Sequence, residues 1–146
     1  MNVETTWSIA ELIGRSVEMS RTIAESDVYL FAGISGDLAS YHIDEAAMRR
    51  TELGRRVVHG VLLLSIGSAA SSKFWSTHGG EGRTISYGYD RVRFIRPMFI
   101  GDTVTVRYEL TQYDRDAQKA FASVTATNET GDVALSAVHV TKVGAL

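Results

Sequence analysis

An acidic and a basic side chain lie close together in one glycine-bearing loop of the sequence. Asp37 follows Gly36, and His42 comes five residues after Asp37. A loop this short can turn both side chains toward one point, where together they can hold a water molecule and remove its proton. Two plainer roles fit the same residues: a turn aspartate that bonds its own backbone, and a histidine whose ring bonds a nearby carbonyl.

A histidine and a glycine open the long apolar segment that follows this loop. His59 and Gly60 begin a run that stays mostly apolar to Ala70. The first N–H groups of a helix have no intrahelical partner, and the helix dipole favours negative charge at that end. Gly60 is therefore predicted to stabilise a developing oxyanion. His59 is expected to orient the helix start or to line a polar pocket.

Three motifs follow one another along the chain. They are GDLASYHID, then RRVVHG with an apolar helix after it, and then RFIRPMFIGDTVTV from Arg93 to Val106. This ordered set resembles the (R)-specific enoyl-CoA hydratases, which are MaoC-like dehydratases with a hot-dog fold. The resemblance extends from about Ser20 to the C-terminus. It implies an α+β fold, in which an antiparallel sheet wraps around one long central helix.

The resemblance also implies a reaction and a set of roles. The reaction is reversible hydration of a trans-2-enoyl-CoA thioester, or dehydration of the (R)-3-hydroxyacyl-CoA. Asp37 and His42 would bind the water, and the Gly60 N–H would bind the thioester carbonyl. Ser68 matches a family serine near the catalytic aspartate and is assigned a supporting role. No metal or cofactor is implied, because coenzyme A is part of the substrate, and a homodimer that can assemble further is expected.

The catalytic loop departs from the family pattern at two positions. Family members usually carry Asp-x-Asn-Pro-x-His, whereas here Ala39 and Ser40 replace Asn-Pro, and Tyr41 precedes the histidine. Proline restricts its own φ and the preceding residue, so the change affects loop rigidity and the pocket wall. Ser40, Tyr41 and His59 are the candidate pocket residues. If either added hydroxyl faces the pocket, we expect a short acyl group that is branched or polar.

Two other functions fit the same residues. A hot-dog thioesterase would use Asp37 to direct water at the thioester carbonyl carbon, and His42 would then be incidental. A non-catalytic subunit that binds acyl thioesters would explain the missing Asn-Pro. Retention of both Asp37 and His42 argues against that subunit, because a chain relieved of catalysis has no chemical need for the pair.

The elements around the loop and the helix start must position them. A first helix is predicted to end at about residue 32, with its exact start left open. Further helices are predicted at 45–52 and 59–74, and strands at 15–23, 84–96, 103–113, 117–128 and 132–143. Thr22 and Glu25 have capping-box spacing for the first helix, and Asp44 can cap the second. Gly33 and Gly36 then allow the turn before the catalytic loop.

Two of the strand patterns are specific enough to predict local geometry. The strand at 84–96 changes phase, which predicts a β-bulge near Asp90. The strand at 103–113 places Val104, Val106, Tyr108 and Leu110 on one face. One helix followed by a run of antiparallel strands again indicates an α+β layer pair.

Length and charge limit the kinds of partner. The chain has 146 residues and a formal net charge of −2. That length fits a single domain over residues 1–146, with a packed N-terminal arm at 1–14 that includes Trp7. The small net charge gives no bulk attraction to nucleic acid or to an anionic membrane.

The residue types bear on metal binding, disulfides and location. The chain has no cysteine, which excludes disulfides and thiolate metal sites. The four histidines are scattered without helical ligand spacing, so no metal site is expected. The N-terminus lacks a signal-peptide pattern, and the apolar stretch at 57–70 is short and interrupted. A cytoplasmic protein without a membrane span is therefore predicted.

Overall fold

The computed structural model describes residues 8–144, and their frame is a five-stranded antiparallel sheet. The strands are β1 (Ser16–Thr22), β2 (Thr84–Phe94), β3 (Thr103–Asp114), β4 (Lys119–Thr127) and β5 (Val133–Val143). Their order is β1-β3-β4-β5-β2, so β1 and β2 form the two edges. The α+β class predicted from the sequence is confirmed.

Strand β3 lies inside the sheet between β1 and β4, and one of its faces forms part of the core. Val104, Val106, Tyr108 and Leu110 are each 0% exposed, as their alternation predicted. A half-buried strand produces this period of two because successive side chains point to opposite faces.

The central helix α4 (Gly60–Thr77) packs against the buried face of the sheet. Its buried side includes Leu63, Ile66, Ala70 and Phe74. A Cβ on Gly67 would lie 2.9 Å from the Val124 side chain, so the absence of a side chain there permits the close approach to β4. The helix ends three residues later than the predicted Phe74. Within residues 8–144, no helix has the length and continuous hydrophobicity that a bilayer crossing requires.

Helix α1 (Glu25–Ser35) starts and ends differently from the prediction. The backbone N–H of Ala24 donates to Asp27 Oδ2 at 2.8 Å, so the capping acid is Asp27 and the proposed Thr22–Glu25 box is wrong. Gly33 lies inside the helix and is not part of the turn. Both Glu25 and Asp27 lie in the first turn, but Ala24 is the N-cap, so only Asp27 stands at the capping-box position three residues later.

The segment after α1 contains two short helices, α2 (Ser40–Ile43) and α3 (Glu45–Met48). Asp44 caps α3 as predicted, with its Oδ1 accepting from the Ala47 N–H at 2.9 Å. The helix stops at Met48, short of the predicted residue 52. Nearly buried Arg56 donates to Glu45 at 3.1 Å and also pairs with Glu25, so one guanidinium joins α1 to α3.

Two further predictions concern β2 and the N-terminal arm. The register between β2 and β5 shifts between Asp90 and Arg93, and Arg91 has φ 53°, so the predicted bulge is confirmed. Ile9–Leu12 forms a short 3₁₀ helix, and Ile9 is buried. Trp7 lies outside the described residues.

Candidate active site

The turn after α1 presents Asp37. Gly36 has φ 75°, a left-handed conformation that glycine adopts without strain, and it ends the helix. The Asp37 N–H donates to Ser35 Oγ at 3.1 Å, and Asp37 Oδ1 accepts from the Ala39 N–H at 3.3 Å. Asp37 therefore does bond the backbone of its own turn. It engages Oδ1, whereas Oδ2 faces two histidines.

His42 lies on α2 and is held by the segment that precedes α4. Its Nδ1 lies 2.6 Å from the Val57 carbonyl oxygen. A carbonyl can only accept, so Nδ1 carries the proton and donates it. The Val57 N–H in turn donates to the Tyr41 carbonyl at 2.8 Å. The contact with a nearby carbonyl, which was the plainer role considered for His42, thus fixes the tautomer. It leaves Nε2 of the neutral ring as an acceptor.

The side chains of Asp37 and His42 face each other without a direct hydrogen bond. His42 Nε2 lies 3.7 Å from Asp37 Oδ2, which is too long for a direct hydrogen bond. The carboxylate and the neutral Nε2 both accept, so a water that donates one hydrogen to each can bridge them. Burial lowers the pKa of His42, and the neighbouring His59 ring adds to the lowering, while the Val57 carbonyl and Asp37 oppose it. The ring is therefore neutral near pH 7 and can take a proton.

His59 lies at the start of α4 and supports both catalytic candidates. Its ring is 2% exposed, and Nε2 donates to the Asp37 backbone carbonyl at 3.1 Å. The ring also stacks on His42, with centroids 3.6 Å apart. The expectation that His59 orients the helix start or lines a polar pocket stays a prediction. The direct effect of His59 is on the position of the Asp37 backbone and the His42 ring.

Asp37, His42 and His59 also form a group whose possible metal-ligating atoms all lie within 4.8 Å of one another. The expectation that the histidines are scattered is therefore wrong for His42 and His59. In the tautomer that donates to the Asp37 carbonyl, His59 Nε2 carries a proton and offers no lone pair to an ion. The expectation that the site binds no metal stays a prediction.

Gly60 begins α4 beside the catalytic pair. A Cβ at Gly60 would lie 2.6 Å from the Phe94 ring, so a side chain there would displace the aromatic ring. The Gly60 N–H belongs to the first turn, where backbone donors have no partner within the helix. Phe94 is half-exposed and lies over this helix start. The Gly60 N–H therefore lies beside the apolar Phe94 ring. This arrangement suits a carbonyl oxygen that gains negative charge.

A family model described as MaoC like domain matches residues 8–133, which is most of the chain. This chain belongs to the MaoC-like family. The (R)-specific enoyl-CoA hydratase of Rhodospirillum rubrum is 36% identical over 98 residues, which are 67% of this chain and 65% of that protein. Protein MaoC of Klebsiella aerogenes is 38% identical over 87 residues, 60% of this chain but only 25% of that protein. The chain thus spans about two thirds of one relative and a quarter of the other.

Solved structures of the family confirm the fold. The structure titled (R)-hydratase from A. caviae involved in PHA biosynthesis has a TM-score of 0.79 and 29% identity, covering 90% of this chain and 96% of that one. The MaoC-like chain described here therefore has the hot-dog fold that the three motifs implied. Its α4 is the central helix of that fold.

The remaining candidate residues of this MaoC-like chain lie outside the group of Asp37, His42 and His59. Ser40 is exposed at the first position of α2, and Tyr41 is 48% exposed with its ring 4.2 Å from that of His42. Ser68 lies farther along α4 on the wall of a separate cavity, whose lining includes neither Asp37 nor His42. The supporting role of Ser68 and the pocket roles of Ser40 and Tyr41 stay predictions.

Three features of the structure near or beside the site were not foreseen from the sequence. They are the Val57 carbonyl that holds His42, the Phe94 ring over Gly60, and the buried His139 on β5. Phe94 falls within a family motif, which marked the segment as important. Nothing in the motif indicated that its ring would lie over Gly60. His139 stands between Val138 and Val140, where a polar residue in an apolar strand was the available signal.

Proposed function

We propose that the chain is a hydro-lyase that adds water to a trans-2-enoyl-CoA, or removes it from the (R)-3-hydroxyacyl-CoA. The observation that carries this proposal is the 3.7 Å gap between Asp37 Oδ2 and His42 Nε2. A water that lies beside the line joining these two atoms can donate to both, and the tautomer that Val57 imposes makes Nε2 a proton acceptor. Relatives named (R)-specific enoyl-CoA hydratase support the same reaction.

The proposed chemistry needs only these groups. The bridging water gives one proton to the Asp37–His42 pair as its oxygen bonds to C3 of the enoyl group. The electrons of the double bond move toward the thioester carbonyl, whose oxygen gains enolate charge at the Gly60 N–H. The pair then delivers the proton to C2. A positioned acid or base contributes about 10²- to 10⁴-fold, and one oxyanion donor about 10²- to 10³-fold.

The test separates this function from the thioesterase alternative. Purified protein is mixed with crotonyl-CoA, and both the conjugated enoyl absorbance and the free thiol are followed. A hydratase depletes the enoyl band without releasing thiol, whereas a thioesterase releases thiol in step with turnover. No change in either signal, with this or longer enoyl-CoA substrates, would favour a non-catalytic binding subunit.

A homodimer is proposed as the working assembly. β2 is an edge of the sheet and exposes apolar side chains, with Ile85 53% and Tyr87 63% exposed. An apolar strand edge with free backbone groups favours pairing with a second strand. Two copies joined at β2 would give one continuous sheet. The cytoplasmic location and the single domain over residues 1–146 remain predictions.

A further inference from the structure

Four aromatic rings form one continuous column through the candidate active site. The column starts with Phe31 on α1, passes through His59 before α4 and His42 on α2, and ends with Tyr41. Successive ring centroids are 4.9, 3.6 and 4.2 Å apart. Side chains of consecutive residues in a helix do not face each other, so the contact of Tyr41 with His42 depends on the side-chain conformation of the tyrosine.

The imidazole of His42 lies between two of these rings. His59 stacks on one face at 3.6 Å, with the planes 22° from parallel. A second ring cannot enter a face that is already covered at this separation, so Tyr41 packs toward the opposite face, tilted by 59°. Nδ1 is held by the Val57 carbonyl, and Nε2 faces Asp37. Contacts on both faces and at one edge therefore restrain the orientation of the imidazole.

Burial decreases along the column from His59 to Tyr41. His59 is 2% exposed, His42 is 5% exposed and Tyr41 is 48% exposed, so Tyr41 is the ring on the solvent side. Burial is also the largest cause that lowers the pKa of His42. A ring that keeps water from the imidazole disfavours its charged form. Tyr41 therefore lies where it can both hold the His42 ring and exclude solvent from it.

The main chain of Tyr41 makes a separate contact with the segment before α4. The Val57 N–H donates to the Tyr41 carbonyl at 2.8 Å, while the Val57 carbonyl accepts from His42 Nδ1 at 2.6 Å. These two hydrogen bonds do not use the Tyr41 side chain. Alanine is also well tolerated in a helix. A substitution at Tyr41 can therefore remove the ring while the backbone of the site is kept.

We propose that Tyr41 is a positioning residue for His42, whose ring confines the imidazole against His59 and screens it from solvent, so that Nε2 stays turned toward Asp37. This inference rests on the proposed hydratase function. The hydroxyl takes no part in the role, and a phenylalanine ring would fill it equally well. The role thus differs from the one expected from the sequence, in which the Tyr41 hydroxyl would select the acyl group.

The first test compares Tyr41→Ala, Tyr41→Phe and the wild type in crotonyl-CoA hydration across pH. In Tyr41→Ala we expect kcat to fall by about tenfold with little change in KM, because a misplaced base weakens the chemical step more than binding. Water that reaches the imidazole raises the pKa of His42, so the acidic limb of kcat/KM should move to higher pH. The other groups that face the ring, which are Val57, His59 and Asp37, are unchanged.

Two controls separate the ring from its hydroxyl and from general packing. Tyr41→Phe should keep the wild-type kcat and acidic limb. Leu53→Ala removes an apolar side chain of similar exposure, 45%, from the turn after α3, and it should also leave both unchanged. A Tyr41→Ala enzyme with wild-type kcat and an unmoved limb would overturn the inference. So would a Tyr41→Phe enzyme that is as impaired as Tyr41→Ala.

The second test observes the His42 ring without turnover. Imidazole ¹⁵N NMR reports tautomer and pKa, and the spectrum of His42→Gln assigns the signals of His42. The wild type should carry the proton on Nδ1 near pH 7, whereas Tyr41→Ala should move part of it to Nε2 and raise the pKa. An unchanged tautomer and pKa in Tyr41→Ala would refute the inference. A wild-type protein that hydrates no enoyl-CoA would refute the proposed function instead, and the NMR result would still decide whether Tyr41 positions the ring.

Discussion

The imidazole rings of His42 and His59 stack with centroids 3.6 Å apart and planes 22° from parallel. Two like charges at that separation repel strongly, and repulsion by His59 is, after burial, a further cause that lowers the pKa of His42. His59 therefore helps to keep His42 in the neutral form that accepts a proton. The support is electrostatic as well as geometric.

His59→Gln tests this coupling. Burial and repulsion by His59 both lower the pKa of His42, and the substitution removes the second of these causes, so that pKa should rise. Because the neutral form of His42 is the base, the acidic limb of the kcat/KM profile should move to higher pH. The profile is measured with crotonyl-CoA, and His78→Gln, a substitution at the far end of α4, should leave the limb in place. An unmoved limb in His59→Gln would contradict the electrostatic role.

Substitution of either member of the pair should abolish most of the turnover. Asp37→Asn and His42→Gln each remove one proton acceptor from the bridging water, and we expect kcat to fall by at least about 10²-fold. Circular dichroism and thermal unfolding should show an intact fold. Asp116→Asn, a change at an exposed turn, serves as the control. Wild-type turnover in either variant would remove that residue from the mechanism.

Gly60→Ala should disturb the helix start through one contact. The new Cβ would lie 2.6 Å from the Phe94 ring, so the ring must move or the helix must shift. We expect a loss of stability on the order of 1 to 3 kcal/mol and a lower kcat. The double variant Gly60→Ala with Phe94→Ala should recover much of the stability. Additive losses in the double-mutant cycle would show that the two residues are not coupled.

The buried His139 should make stability depend on pH. Its pKa is about 4 in the folded protein and near 6.5 when unfolded, so the unfolded chain binds the proton first as pH falls. Its contribution is fully present above pH 6.5 and is lost as pH falls toward 4. The expected loss is on the order of 3 kcal/mol. Urea unfolding of wild type and His139→Gln across this range measures it, and equal pH slopes would contradict the assignment.

Edge pairing at β2 is tested by a charge on the strand. Ile85→Lys places a cation on the exposed apolar edge, where pairing with a second copy would bury it. Wild-type protein should sediment as a dimer at micromolar concentration, and the variant should shift toward monomer. Ile34→Lys, which changes an isoleucine that is 85% exposed on α1, is the control. A monomeric wild type would refute the proposed assembly.

The parts of the fold that follow from local pattern were predictable. The alternation of Val104, Val106 and Tyr108 placed β3 correctly, because a strand with one buried face imposes a period of two. Asp44 was identified as a cap because its partner is only three residues away. The phase change near Asp90 revealed the bulge for the same reason. Each signal and its structural cause lie within a few residues.

The supporting contacts of the site could not be found in that way. His42 and His59 are 17 residues apart, and their stacking depends on how α2 docks on the start of α4. The error at the start of α1 was local in origin: Ala24 is the N-cap, so the acid three residues later is Asp27 and not Glu25. Spacing in the sequence identifies which residues can act. Tertiary packing decides which of them meet.

Arg56 gives the catalytic loop a kind of restraint that differs from that of the family's proline. A proline restricts the chain even when it is unfolded. The ion pairs of Arg56 with Glu25 and Glu45 form only after α1 and α3 have come together. The order of the loop between those helices is therefore a product of folding and is absent from the free chain. Local opening at these ion pairs would remove the proposed activity while the sheet and α4 stay folded.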